Sequence, residues 1–372
     1  MWGGGRRKGA ALKWLFVFLV SGAASVIGAT SKSAPSFDFE QGVIVDPAHG
    51  SIYLMNPEGR IDAVRLSSGE VFATSTWGAK PLLVFDNDLL AQEEAVDQSD
   101  KLKLGSLSTT DLKLKFEVGV PLPAGVYASI GESLGRSFYV SARTEKDEVV
   151  VQWRSVQRRV SGVPTNEPAQ VAAGLARIDP RTGRLLASGG DASGPESGKA
   201  KLPIVVQKLV DSGALLSQLC WVDDLLVAIE YGQDDGREHV MLRRWNKDTG
   251  QNLPSVELFG SELTFRYFSV DCRHLLASRA KDGWLWSIFE TMTGNKIAGV
   301  HSTLPGSQFF IWKGSLIYQT SAEASVMGGH MTLVQPRRLL AIDFNTGREL
   351  WARPIRDTKY RGPYPGKFPI PR

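Results

Sequence analysis

The chain has 372 residues, enough to bury a large core either as one big β domain or as two ordinary ones. Its composition, 42% apolar and 22% charged with ten Trp and 38 Gly, is that of a soluble globular protein with many turns. The formal charge of +4 comes entirely from Arg6, Arg7, Lys8 and Lys13; the remainder balances 39 bases against 39 acids, and a neutral body argues against nonspecific nucleic-acid binding.

Residues 1–29 carry the pattern of an export signal. "MWGGGRRKGAALK" is a basic leader and "WLFVFLVSGAASVIGA" an apolar stretch ending in small residues, with cleavage expected after Ala29. The rival reading is an uncleaved anchor over residues 14–29, although Ser21, Gly22 and Ser25 make it short and weak for a spanning helix. No Cys lies near the cleavage region, which excludes a lipid anchor there. Residues 30–40 read as a linker.

From residue 41 to residue 356 a strand, a tight polar turn and a second strand recur. The copies are "VIVDPAHGSIYLMN", "LLVFDNDLLAQE", "SIGESLGRSFYVSAR", "LCWVDDLLVAIE", "YFSVDCRHLLASRA" and "FFIWKGSLIYQTS". Second strands then begin at Ile52, Leu89, Phe138, Leu225, Leu275 and Leu316, and the long step from Phe138 to Leu225 leaves room for a seventh unit. Five units add a second hairpin with Gly at its tip: "AVRLSSGEVFA", "ARIDPRTGRLLA", "RRWNKDTGQNL", "SIFETMTGNKI" and "AIDFNTGRELW". Unit two has "GSLSTTDLKLKF" there, a hairpin without the Gly. A short hairpin that closes through a bulge needs one residue at positive φ, which Gly69, Gly183, Gly250, Gly294 and Gly347 supply without steric cost. Two hairpins in about 40–50 residues is the period of a propeller blade. The expected fold is therefore all-β: a β-propeller of four-stranded antiparallel blades, with six recognisable repeats and room for six to eight blades.

Three stretches interrupt the repeat: residues 155–172, 189–203 and 321–336, all rich in Gly, Pro, Ser or charge and read as insertions. Loops on a rigid scaffold are where binding sits, although a tolerated surface excursion is the commoner case. Residues 357–372, with four Pro among Tyr and Phe, read as an extended tail, packed along the propeller, free, or docked on a partner.

The stretch "LLAIDFNTGRELW" resembles the repeat of the pyrroloquinoline-quinone-like (PQQ-like) β-propeller family. Asp343, Thr346, Gly347 and Trp351 match the full pattern; Asp179, Thr182 and Gly183 match part of it, with Ala187 where Trp would stand. The resemblance implies that the Trp wedges between blades, so the motif speaks for architecture. The family contains quinone-dependent dehydrogenases, which use PQQ with Ca²⁺ and an Asp base, and scaffold propellers that bind no quinone. This chain lacks the vicinal Cys-Cys that stacks on the quinone in the alcohol dehydrogenases, and it resembles the scaffold members more closely.

No catalytic set stands out. The five His are His49, His239, His274, His301 and His330, none within four residues of another. Met327, His330 and Met331 form a soft-donor trio suited to copper, against which stands an ordinary loop His beside incidental Met. The pairs Asp223–Asp224 and Asp234–Asp235 offer a base or Ca²⁺ ligands, but both fall in expected turns, where Asp is a common turn former. "SGPESGK" fails as a P-loop on two positions. Trp221, Trp284, Trp286 and Trp312 lie at strand positions, where inter-sheet core is the default over a ligand funnel. Cys220 and Cys272 are expected as two separate buried thiols, with a disulfide as the alternative.

These observations lead to a non-catalytic scaffold, exported to the bacterial periplasm or cell envelope, that binds a protein or peptide. No cofactor and no metal are expected, nor any nucleic acid; membrane contact runs only through an uncleaved N-terminal segment, and a monomer is expected. Two alternatives remain, a PQQ-dependent dehydrogenase and a carbohydrate-binding propeller.

Overall fold

The computed structural model describes residues 36–94, 99–133, 136–157, 170–190, 216–234, 237–260, 263–280, 284–302, 308–327 and 330–356. The export signal and the C-terminal tail lie outside the described residues, as do most of the two insertions before residue 204. Every element described is a strand, and six antiparallel sheets of four or five strands follow one another in the chain. In each sheet neighbours in space are neighbours in sequence, apart from one inserted hairpin in the sixth. This is the meander of a propeller blade.

Blade I holds β1 (Phe37–Glu40), β2 (Val43–Asp46), β3 (Ser51–Met55), β4 (Ile61–Arg65) and β5 (Val71–Thr74). Blade II holds β6 (Lys80–Phe85), β7 (Asp88–Gln92), β8 (Lys101–Ser108) and β9 (Leu114–Pro121). Blade III holds β10 (Gly131–Ser133), β11 (Arg136–Glu145), β12 (Glu148–Gln157), β13 (Gln170–Ile178) and β14 (Leu185–Gly190). Blade IV holds β15 (Leu216–Val222), β16 (Leu225–Asp234), β17 (Arg237–Asn246) and β18 (Val256–Gly260). Blade V holds β19 (Leu263–Phe268), β20 (His274–Ala280), β21 (Trp284–Glu290) and β22 (Lys296–Ser302). In blade VI, β23 (Phe309–Trp312) and β24 (Ser315–Gln319) are followed by a separate hairpin, β25 (Glu323–Met327) with β26 (His330–Gln335). The sheet then resumes with β27 (Arg338–Asp343) and β28 (Glu349–Pro354).

The chain divides into two compact units. One contains blade IV, within Pro203–Glu262. Its own small core joins Leu226, Ala228 and Trp245, with Leu219 and Trp221 packed against them. The other unit contains blades I, II, III, V and VI. There the sheets stack through both faces, as alternating apolar strands allow. Blade VI packs on blade I through Phe310, Ile317 and Trp351 against Val45, Ile52 and Val64. Blade I meets blade II through Tyr53, Ala63, Leu89 and Leu107. Blade II meets blade III through Leu90, Leu104, Val151 and Trp153, and blade V meets blade VI through Trp286, Ile288, Tyr318 and Ile342.

Four expectations need correction. The linker 30–40 contains β1, because Phe39 is buried edge-on against Phe310 at 5.3 Å. Blades I and III have a fifth strand each. In blade III the hairpin equivalent to those of the other blades is β11–β12, turning at Lys146 (φ 55), not β10–β11 before Phe138. The long step is thus filled by β12, β13 and β14, and the described residues hold no seventh sheet of four or five strands. Finally, neither cysteine is a free thiol: Cys220 and Cys272 are both disulfide-bonded. Titration of the denatured, unreduced protein with a thiol reagent is expected to give no signal, and two thiols per chain only after reduction.

Candidate partner-binding face

The second hairpin of every blade has one geometry. A residue i donates its N–H to the carbonyl of i+5 and accepts from the N–H of i+4; in blade VI these bonds are Asp343 to Arg348 (2.9 Å) and Gly347 to Asp343 (2.7 Å). The same two bonds are made from Arg65, Ser108, Asp179, Asn246 and Glu290. The residue at i+4 has positive φ in all six: Gly69, Gly183, Gly250, Gly294 and Gly347, and Leu112 (φ 55) in blade II. Thr at i+3 braces the turn. Thr346 donates its N–H (2.8 Å) and hydroxyl (2.9 Å) to Asp343 Oδ1, and Thr182 its hydroxyl to Asp179 (2.7 Å). Hydrogen bonds from Thr346 hold the Asp343 carboxyl below the usual range, and those from Thr182 and Arg181 do so for Asp179. This contribution is present above the ordinary aspartate pKa and is lost as pH falls.

In blades VI, I and II the side chain at i+8 then meets the tip of the following blade. A Cβ on Gly69 would stand 2.5 Å from Trp351 Cγ, and one on Gly183 would stand 2.3 Å from Phe116. Trp351 is buried and donates its Nε1–H to Leu66 O at 3.0 Å. Where blade I carries only Ala73 at this position, the facing tip residue is the large Leu112, in the same apolar cluster. Bulk is exchanged across these three seams: glycine opposite Trp or Phe, leucine opposite alanine. The motif residues therefore act in turns and seams.

Antiparallel meanders put the first–second and third–fourth turns of a blade at one end and the second–third connection at the other. At the first end the connections are tight. They include Asp86–Asn87, Lys146–Asp147 and Lys313–Gly314, beside the tips just described. At the other end lie the excursions: residues 93–100 in blade II, 158–169 in blade III and 320–337 in blade VI. The stretch 321–336 is not a plain loop but contains the hairpin β25–β26, which pairs with no other strand among the described residues. Its Val334 is 57% exposed.

Buried polar side chains are found at both ends, and those at the insertion end include two glutamines. Asn56, Ser75, Lys80, Gln92, Gln319 and Thr320 all lie there and are all buried. Asn56 Nδ2 and Thr74 Oγ1 both donate to Asp62 Oδ1 (2.9 and 2.8 Å), and burial pushes the Asp62 carboxyl up. Lys80 stands opposite Gln92 in the β6–β7 pairing; burial pushes its pKa down, with Asp38 opposing. Gln92 spends its NH₂ on Ser129 O (3.2 Å), and its Oε1 has no partner; in Gln319 neither amide atom has one. Buried amide atoms left open in this way are ordinarily satisfied by bound water or by a ligand. Sequence reasoning missed both glutamines. The signal was the equivalence of "DLLAQ" and "SLIYQ", which end the second strands of blades II and VI.

At the tight end several polar groups are satisfied locally, although His274 Nδ1 at the start of β20 has no partner. Asp46 accepts from His49 Nδ1 at 2.7 Å and Ser51 Oγ donates to His49 O at 3.3 Å. The Tyr53 hydroxyl is raised, chiefly by burial and then by Asp46. Asp223 (φ 47) forms a turn, with Asp224 paired to Lys247 at 2.9 Å. Asp234 ends β16, and Asp235 lies outside the described residues. His330 lies on β26 next to Met331 and paired in register with Met327. Among the described residues no three of His, Cys, Asp and Glu gather into a metal-holding cluster. Trp286 is fully buried against Tyr318 at 4.8 Å, and Trp312 lies over Gly50, so both belong to the sheets' packing.

No protein-family model and no curated protein matches the chain. Among solved structures it is similar to BamB from Moraxella catarrhalis, at 13% identity over 77% of each chain with a TM-score of 0.22. It is similar to the quinohemoprotein alcohol dehydrogenase from Comamonas testosteroni at 10% identity, covering 86% of this chain and 68% of that one, with a TM-score of 0.26. It is also similar to Sqt1 from Saccharomyces cerevisiae at 11% identity, covering 87% and 88%, with a TM-score of 0.32. Each likeness is one of fold.

Proposed function

We propose that the chain is an exported, non-catalytic propeller scaffold of the bacterial cell envelope that binds a protein or peptide partner at its insertion end. The observation that carries this reading is the asymmetry of the sheets. One end is closed by short turns, and the other holds the excursions, the β25–β26 hairpin and the open amide atoms of Gln92 and Gln319. Variable connections on a rigid scaffold are the usual place for recognition. Disulfide-bonded cysteines fit an oxidising compartment, as does the leader over residues 1–29. The reading needs no cofactor, and it has the monomer touch a membrane only through residues 14–29, where these are retained.

Lysine-directed crosslinking with mass spectrometry in native envelopes tests it. Reproducible links to one protein neighbour are expected from Lys101 and Lys103, which begin β8 at the insertion end. Lys113, Lys146 and Lys313 at the tight end should give none. Absence of any reproducible neighbour, or links confined to the tight end, contradicts the reading.

A further inference from the structure

The last described residue, Arg356, does not trail away from the outer edge of blade VI. After β28 the chain turns over the ends of the sheets: Ile355 N–H donates to Arg337 O at 2.8 Å and Arg356 N–H to Met55 O at 2.9 Å, at the end of β3 in blade I. The Arg356 guanidinium reaches onward to blade II, where it grips both Glu94 oxygens (2.7 and 2.6 Å). It lies on Gly59 (φ +79), where a Cβ would stand 2.9 Å from Nη1, so the lack of a side chain makes room for this crossing. The path thus runs from blade VI across blade I to blade II, along the insertion end.

Sequence chemistry continues that direction. Residues 357–372 hold Lys359, Arg361, Lys367 and Arg372 against Asp357, with Pro at 363, 365, 369 and 371. The connection that Arg356 reaches, residues 93–100, holds Glu93, Glu94, Asp97 and Asp100 and no base in its sequence, and Glu58 adds a carboxylate in the β3–β4 turn of blade I. Glu93 is engaged by Lys103 (3.0 Å) and Glu94 by Arg356.

We propose that residues 357–372 are a ligand of the chain's own insertion end: an extended, basic, proline-rich segment laid over blades I and II, its cations on Glu58 and Asp100. A proline-rich segment loses little conformational freedom on such docking, and paired charges give it register. The Arg356–Glu94 clamp is the first contact of that interface. An external partner at this end has to accommodate or displace the segment. The inference rests on the crossing itself and stands without the partner reading.

Limited trypsin digestion of the intact protein, followed by mass spectrometry, tests it with no partner present. Cleavage after Lys359, Arg361 and Lys367 should be at least about tenfold slower than in a synthetic peptide of residues 357–372. The difference should vanish in about 0.5 M salt and in a Glu58→Gln, Asp100→Asn variant whose blades resist digestion as before. Cleavage of the wild-type segment at the peptide's rate overturns the proposal. Protection that survives both salt and the double substitution also overturns it, since the segment would then be held elsewhere.

Discussion

Replacing Trp351 by Ala is expected to cost about 3–5 kcal/mol of unfolding free energy, the largest loss from any single motif residue. Three effects combine. The indole is 6% exposed in the seam between blades VI and I, so its removal forfeits apolar burial and leaves a void. Its Nε1–H no longer satisfies Leu66 O, a buried bond of 3.0 Å. And the seam joins the first and last blades in the chain, so that weakening it loosens the contact between the two ends of the larger unit. Trp351→Phe should recover most of the packing and none of the hydrogen bond. Trp312→Ala, at a partly buried position beside Gly50, should cost clearly less. Urea unfolding followed by far-ultraviolet circular dichroism measures all three; equal losses for Trp351→Ala and Trp312→Ala would contradict the wedge role.

Tip and wedge exchange bulk across that seam, so substitutions at the two positions should couple. Gly69→Leu alone should be severe, because φ is +68 and the new Cβ would stand 2.5 Å from the indole. Left-handed backbone costs a leucine about 1–2 kcal/mol even where space exists, and here it does not. Combined with Trp351→Ala, the same substitution should rebuild the arrangement found between blades I and II, where Leu112 stands at φ 55 near Ala73. The double variant should be more stable than the sum of the single losses implies, by about 1–3 kcal/mol of coupling. Strict additivity would mean that tip and wedge are independent. The converse pair, Leu112→Gly with Ala73→Trp, offers the same test in the other direction.

Much of this architecture is legible in the residues, and the reasons are local. Gly69, Gly183, Gly250, Gly294 and Gly347 mark turns because only Gly takes positive φ at no cost, so the requirement shows in the sequence. Leu112 meets the same requirement against its propensity, since the packing beneath it outweighs the backbone strain; nothing in "STTDLK" reveals that. Blade III misleads for a related reason. Its β11–β12 hairpin turns at Lys146 without Gly, while the nearby Leu134-Gly135 pair, outside the described residues, suggested a turn one hairpin too early. The candidate face was half legible. Its insertions show as runs of Gly, Pro and Ser, but that they open at one end follows only once the strands are paired. Gln92 and Gln319 are invisible as site residues, because a glutamine ending a strand usually meets solvent, and here both are buried. The bonded state of the cysteines is not legible, because spacing along the chain does not report whether a thiol has a partner.

The central claim is that the repeat builds the scaffold and one end of it does the binding. Site-specific photo-crosslinkers at Val334, on the insertion-end hairpin, and at Thr346, on a tight-end tip, test it most directly in living cells. The account predicts that Val334 captures one discrete protein adduct and that Thr346 captures none. Capture of that same protein from Thr346 with none from Val334 would contradict it.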